Sequence, residues 1–155
     1  MSLVFSSTGG LSELKQTRVL LADDHARIRA GIRQLLSNLP DILVIGEAGD
    51  GEEALQLVEK LAPDVLLLDV EMPRKNGQQV AMELRDRKSK VRVLALSAYD
   101  DRNYIEGMLE SGASGYLTKD EVPEVLIEAL RGVARGEDGW VSKRVGKIID
   151  SQQFH

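Results

Sequence analysis

The apolar residues of this chain alternate between two rhythms. Residues 18–22 (RVLLA) form a short apolar run, and Ile28, Ile32, Leu35, Leu36 and Leu39 follow at helical spacing until Pro40 closes the stripe. Residues 42–45 read as a second strand and 46–51 as a turn region. Ala54, Leu57, Val58 and Leu61 make the next helical stripe, ended by Pro63. The continuous run over 65–70 predicts a strand buried on both faces. Val80, Ala81 and Leu84 mark a third helix, residues 91–96 a fourth strand, and Tyr104, Met108 and Leu109 a fourth helix. Residues 114–118 are a short fifth strand. Val125, Leu126, Ala129, Leu130 and Val133 complete a fifth helix. Five strand–helix pairs with short connections and apolar strands predict an α/β fold, a parallel sheet sandwiched between helices.

Outside this alternation, residues 1–17 are rich in Ser, Gly and polar residues and read as a flexible leader. The span 18–136 is the domain proper. Beyond Gly136 a Gly-Glu-Asp-Gly loop opens a stretch, 137–155, too short to be a second domain. It reads as a linker or partial helix in a chain that a longer protein would continue.

In an open parallel sheet flanked by helices, ligands sit at the carboxyl ends of the strands. The first strand ends in Asp23-Asp24, the third in Asp69, the fourth in Ser97 and the fifth in Thr118-Lys119. Three carboxylates, a hydroxyl and an ammonium therefore gather at one edge. Crowded carboxylates repel one another, and a divalent cation relieves them. An oxygen-only donor set favours magnesium or manganese over zinc. A carboxylate beside such a cation can attack phosphorus and form an acyl phosphate. Each residue also has a plainer reading. Asp-Asp after a strand caps helices, Ser97 can cap the next one, and Lys119 can be a surface lysine. The conjunction of four strand ends supplying compatible groups carries the chemical reading.

Composition narrows the partners. Of 155 residues 43% are apolar and 29% charged, as expected of a globular domain. No apolar run approaches the length of a membrane span, and the densest one lies between Asp64 and Asp69. The opening residues lack the basic start and long apolar segment of a signal peptide, so a cytoplasmic location is the expectation. The absence of cysteine excludes disulfides and thiolate metal sites. A net charge of −5 gives no basic face for nucleic acid, and Lys143, Arg144 and Lys147 read as a solvated cluster.

Four stretches together carry a family resemblance: Leu20-Leu21-Ala22-Asp23-Asp24-His25; Leu66-Leu67-Leu68-Asp69-Val70-Glu71-Met72-Pro73 with Gly77; Ala95-Leu96-Ser97-Ala98; and Gly112-Ala113-Ser114-Gly115-Tyr116-Leu117-Thr118-Lys119-Asp120. They resemble the receiver domain of bacterial two-component response regulators, and within it most closely the NarL/FixJ (LuxR-type) class. The resemblance implies a flavodoxin-like (CheY-like) doubly wound (βα)5 three-layer sandwich, with a five-stranded parallel sheet of order 2-1-3-4-5. It implies a signalling phospho-acceptor rather than a turnover enzyme. Asp69 would take a phosphoryl group from a sensor histidine kinase. Asp24 and Asp69 would bind Mg2+ directly, with Mn2+ as a substitute, Asp23 through water, and Glu71 through its backbone carbonyl. Lys119 would pair with the phosphoryl group, Ser97 would follow it, and Tyr116 would change rotamer when Ser97 moves. The face formed by residues 100–136 would switch and, in the family, dimerise. DNA would be reached only through an output domain that this chain does not contain.

Many receivers carry proline after the lysine with a cis bond; here Asp120 follows Lys119, which leaves the isomer of that bond open. His25 suits a helix start better than a phosphotransfer role. Two other classes form competing readings. A haloacid-dehalogenase-type hydrolase would want an aspartate where Glu71 stands. A flavodoxin-like cofactor binder would want a Ser/Thr/Gly phosphate loop where Asp23-Asp24 stands.

Overall fold

A computed structural model describes residues 3–5, 11–13 and 15–152. Leu3–Phe5 (β1) and Leu11–Glu13 (β2) pair antiparallel. The remaining elements alternate: β3 (Thr17–Ala22), α1 (Ala26–Leu36), β4 (Ile42–Ala48), α2 (Gly51–Leu61), β5 (Val65–Asp69), α3 (Gly77–Asp86), β6 (Arg92–Ser97), α4 (Arg102–Glu110), β7 (Gly115–Thr118), α5 (Leu126–Ala134), β8 (Trp140–Val141) and α6 (Lys143–Gln152). A single 3-10 turn, Lys119–Glu121, lies between β7 and α5.

The main sheet runs β4-β3-β5-β6-β7-β8, with every neighbouring pair parallel. The five strands expected from the pattern stand in the expected order, and a sixth corrects the count. Trp140 and Val141 pair with Gly115 and Tyr116. A two-residue strand has too little length for a period to show, which is why residues 137–155 read as linker or partial helix. Within that span α6 packs beside the sheet, with Val145 fully buried. Of the leader reading over 1–17, part lies outside the described residues, and Thr17 opens β3.

Strand side chains divide between two cores because successive residues point to opposite faces. Val19, Leu21, Val65, Leu67, Leu94, Leu96 and Leu117 face α1 and α5. Leu20, Ala22, Leu66, Leu68, Val93, Ala95 and Tyr116 face α2, α3 and α4, and Val145 of α6 joins that side. Burying each such side chain is worth about 1.5–3 kcal/mol, which holds the strand ends, and so the groups attached to them, in place. No helix among the described residues is long and apolar enough to cross a membrane.

Candidate functional site

Each acid of the site stands where an apolar strand ends. β3 ends at Ala22, and the following residue, Asp23, is 3% exposed. Its backbone N–H donates to the Ala48 carbonyl, and its own carbonyl accepts from the Arg29 guanidinium. Arg29 in turn pairs with Glu47 at 2.9 Å, tying α1 to β4 behind the acid. Asp69 is the last residue of β5 and also 3% exposed. Directly beneath it the first residue of α3 is Gly77. A Cβ there would lie 2.7 Å from the Asp69 carbonyl oxygen and from Val70 Cα, so only glycine lets α3 start against this strand end. Asn76 caps α3 by accepting from Gln79 N at 2.9 Å, and its own backbone N–H donates to Gln79 Oε1 at 2.9 Å.

Asp23, Asp24, His25 and Asp69 bring one potential ligand atom each to within 4.8 Å of one another. Lys119 reaches in from the end of β7: its Nζ is 3.2 Å from Asp23 Oδ2 and 3.4 Å from Asp69 Oδ2. The contact with Asp23 has the distance of an ion pair but not the angle of a hydrogen bond, and Asp23 Oδ2 stays buried without a hydrogen-bond partner. A buried oxygen of that kind can be satisfied by a water or by a cation. Hard oxygen donors from two buried acids and the exposed Asp24 fit a divalent ion such as magnesium.

Burial pushes the Asp69 carboxyl up to about 6, and the neighbouring Asp23 charge adds to the rise, while Lys119 and the Glu71 N–H oppose it. That N–H donates to Asp69 Oδ1 at 3.2 Å. Burial works against the charged form of Lys119, but the Asp69 and Asp23 carboxylates more than offset it and hold the ammonium above its ordinary range.

Ser97 ends β6, 1% exposed, and its Oγ accepts from Tyr99 N at 3.0 Å. Tyr116 is fully buried, and its hydroxyl donates to the Tyr99 carbonyl at 2.6 Å. Burial pushes that phenol up to about 12. The strand-end serine and the β7 tyrosine thus hold the same loop. Glu71 projects its side chain outward, and its carboxylate accepts a long hydrogen bond, 3.4 Å, from the Tyr99 hydroxyl.

The structure therefore gathers Asp23, Asp24, Asp69 and Lys119 into one cluster, with Ser97 and Glu71 on the adjoining loops and Tyr116 behind Ser97. The helix-cap readings of Asp23, Asp24 and Ser97 do not apply, while Asp23, Asp69 and Ser97 each accept from the backbone N–H two residues on, as turn residues do. His25, not Asp23 or Asp24, occupies the N-cap of α1, and Asp101, not Ser97, that of α4. Among the described residues the cis peptide bond is Val122–Pro123, so Lys119–Asp120 is trans.

Two residues were not legible as part of the site. The His25 ring lies 3.0 Å from Asp23 Oδ1 and 3.1 Å from Asp24 Oδ1, a placement that only its adjacency to the two acids hinted at. Tyr99 stacks on Tyr104 with centroids 4.6 Å apart and lines the mouth of the site. Nothing in the sequence pattern marks it. The cleft over the acids holds about 580 Å³ and is also lined by Met72, Pro73, Asn76 and Ala98.

Comparison with known proteins places the chain in a family. The response regulator receiver domain family matches residues 19–131. The transcriptional regulatory protein DegU of Brevibacillus brevis is 42% identical over 119 residues, covering 77% of this chain and 50% of that protein. The nitrate/nitrite response regulator protein NarL of Escherichia coli (strain K12) is 41% identical over 127 residues, covering 82% and 59%. The chain thus spans only about half the length of the curated relatives it matches. Among solved structures, the receiver domain of the response regulator NarL from Mycobacterium tuberculosis superposes with a TM-score of 0.77 at 38% identity, covering 79% of this chain and 99% of that one. A LuxR-family two-component response regulator from Aurantimonas sp. gives 0.85 at 28% identity, covering 91% and 100%. With a strand-end acid cluster, a facing lysine and these relatives, this chain belongs to the response regulator receiver domain family, with its likeness to the NarL and LuxR-type members.

Proposed function

We propose that Asp69 is the phospho-acceptor of this receiver and that Mg2+ is its required cofactor, with Mn2+ able to substitute. The observation that carries the reading is the pairing of two buried acids, Asp69 and Asp23, with one lysine, Lys119, and one oxygen left without a hydrogen-bond partner. Asp24 and Asp69 would hold the ion directly, Asp23 through water, and Glu71 through its backbone carbonyl. When bound, the ion neutralises carboxylate charge and offers open positions to phosphate oxygens.

The residues divide the remaining work. An Asp69 carboxylate oxygen forms the new bond to phosphorus while the donor's P–N bond breaks and its electron pair returns to a kinase imidazole. Lys119, already charged and 3.4 Å from Asp69, meets the negative charge of the transferred group. The Ser97 hydroxyl turns toward the phosphoryl oxygens, which releases the loop it shares with Tyr116. The chain assists its own phosphorylation and dephosphorylation and turns over no other substrate.

The face spanning residues 100–136 then shifts between two packings, and a partner reads the shift by its differential affinity. In this reading the donor is a sensor histidine kinase, the protein is cytoplasmic, and the receiver spans 18–136. Residues 137–155 lead toward a DNA-binding output domain through which transcription is controlled. A phosphorylated homodimer through the 100–136 face would include or displace β8 and α6, which flank β7 and α4.

Intact-mass measurement after incubation with acetyl phosphate tests the acceptor. Wild type with Mg2+ is expected to gain one hydroxylamine-labile phosphoryl group, and neither Asp69→Asn nor metal-free wild type should gain it. A folded wild type with no gain under any condition removes the proposal.

A further inference from the structure

The basic cluster near the carboxyl end has no part in the chemistry above, yet one member pairs with acids on two loops that adjoin the site. Arg144 is the second residue of α6. Its Nη1 donates to Asp120 Oδ2 at 2.6 Å, and its Nη2 donates to Asp100 Oδ2 at 3.0 Å. Asp120 directly follows Lys119, and Asp100 lies three residues beyond Ser97. The other oxygen of Asp120 is held too: the Thr118 hydroxyl donates to Oδ1 at 2.5 Å. One planar guanidinium therefore joins the loop after Lys119, which pairs with Asp69, to the loop after Ser97, the last residue of β6. Each acid takes a separate nitrogen of the planar fork, a fixed geometry that a lysine's single ammonium on a flexible stem does not supply.

The helix carrying Arg144 is itself seated. Val145, the next residue, is fully buried in the core shared with Ile105, Met108 and Tyr116. Ser142 Oγ accepts from Val145 N at 3.1 Å, and Trp140 N donates to the Ser114 carbonyl at 2.9 Å. The fork is thus presented from a fixed base and not from a free tail.

We propose that Arg144 is a positioning residue for the chemistry at Asp69, setting the separation of the Ser97 and Lys119 loops through Asp100 and Asp120, so that docking of α6 and phosphorylation are coupled. The inference rests on the reading of Asp69 as acceptor. Movement of Ser97 and Lys119 toward a phosphoryl group changes the distance between Asp100 and Asp120, and a rigid fork cannot follow both. Phosphorylation therefore loosens α6, and by reciprocity loss of the fork alters the acyl phosphate. The paired side chains are 44% to 65% exposed, so the effect is modest, about two- to fivefold in lifetime.

The test uses the full chain with Mg2+, comparing wild type, Arg144→Ala and Arg144→Lys. Acyl-phosphate decay after removal of acetyl phosphate is followed by intact mass. Hydrogen exchange of residues 143–152 is followed with Mg2+ alone and with beryllofluoride added. Wild type should exchange faster in that segment with beryllofluoride. Arg144→Ala should shift the lifetime about two- to fivefold and lose the exchange difference, with Arg144→Lys restoring only part of either. If Arg144→Ala does not fold, the double variant Asp100→Asn, Asp120→Asn opens the same clasp from the opposite side. A phosphorylated wild type whose lifetime and α6 exchange match those of the variant overturns the role of Arg144 and leaves Asp69 standing. A wild type that takes no phosphoryl group overturns both.

Discussion

The two ends of the same sheet handle charge in opposite ways. At the amino end Asp64 and Asp41 each have a donor to themselves. Asp64 accepts from Arg18 N at 2.8 Å, while the Arg18 guanidinium closes α2 by donating to the Ala62 and Leu61 carbonyls at 2.7 and 2.8 Å. Asp41 receives a two-pronged contact from Arg131 at 2.8 and 3.0 Å, which holds its carboxyl below the ordinary range. At the carboxyl end two buried acids face one lysine, and Asp69 titrates near 6. Parallel strands make this contrast possible, because all their carboxyl ends share one edge. The fold is stabilised at one end and kept electrostatically incomplete at the other, and under the proposed function that incompleteness is what a cation and a phosphoryl group would use.

The largest test of that contrast is steric. Gly77→Ala drives a Cβ into the backbone of Asp69 and Val70, and should destabilise the chain by about 3 kcal/mol in chemical denaturation. A cost under about 1 kcal/mol would mean that α3 does not seat the acid as tightly as its geometry suggests.

Next comes the charge itself. Because the folded carboxyl of Asp69 titrates above its ordinary 3.8, its stabilising contribution is fully present below that value and is lost as pH rises through about 6. Metal-free wild type should therefore lose about 2–3 kcal/mol relative to Asp69→Asn between about pH 4 and pH 7, measured by urea unfolding at each pH. Parallel pH curves for the two proteins would remove the contrast between the ends.

The smallest effect has the opposite sign. Asp41 is held below its ordinary value chiefly by its hydrogen bonds from Arg131, so its contribution is present above about pH 4 and lost on acidification. Arg131→Ala should cost about 0.5–1 kcal/mol at neutral pH, fading toward low pH and in high salt. A loss that persists at low pH would assign Arg131 a packing role.

Much of this is legible in the sequence. The continuous apolar runs around Val65–Asp69 and Arg92–Ser97 are too short for helices and read as buried strands, and each ends on a polar residue that the parallel sheet brings to one edge. Asp23, Asp69, Ser97 and Lys119 followed from that rule alone. The end of β4 did not: Gly46 and Glu47 read as turn, yet pairing with Leu20 and Leu21 carries the strand to Ala48. Here a neighbouring strand overrides weak local preference. Tyr99 and Arg144 escaped for a different reason. Their roles arise from loops and a helix far apart in sequence, and no spacing along one segment encodes such a meeting.

The two-residue β8 has a consequence beyond the site. β7 would otherwise border the sheet, and its backbone N–H and C=O groups beside Gly115 and Tyr116 would stand open to any extended chain. Trp140 and Val141 occupy that border. Trp140 can lie so close only because Gly115 and Gly132 lack side chains: a Cβ on either would come within 3.0 Å of it. A chain shortened to residue 136 would keep all the acids and the lysine yet expose a bare sheet margin. The short tail covers that part of the margin, so a chain ending at residue 136 is expected to self-associate more than the full chain, which sedimentation of the two lengths would show.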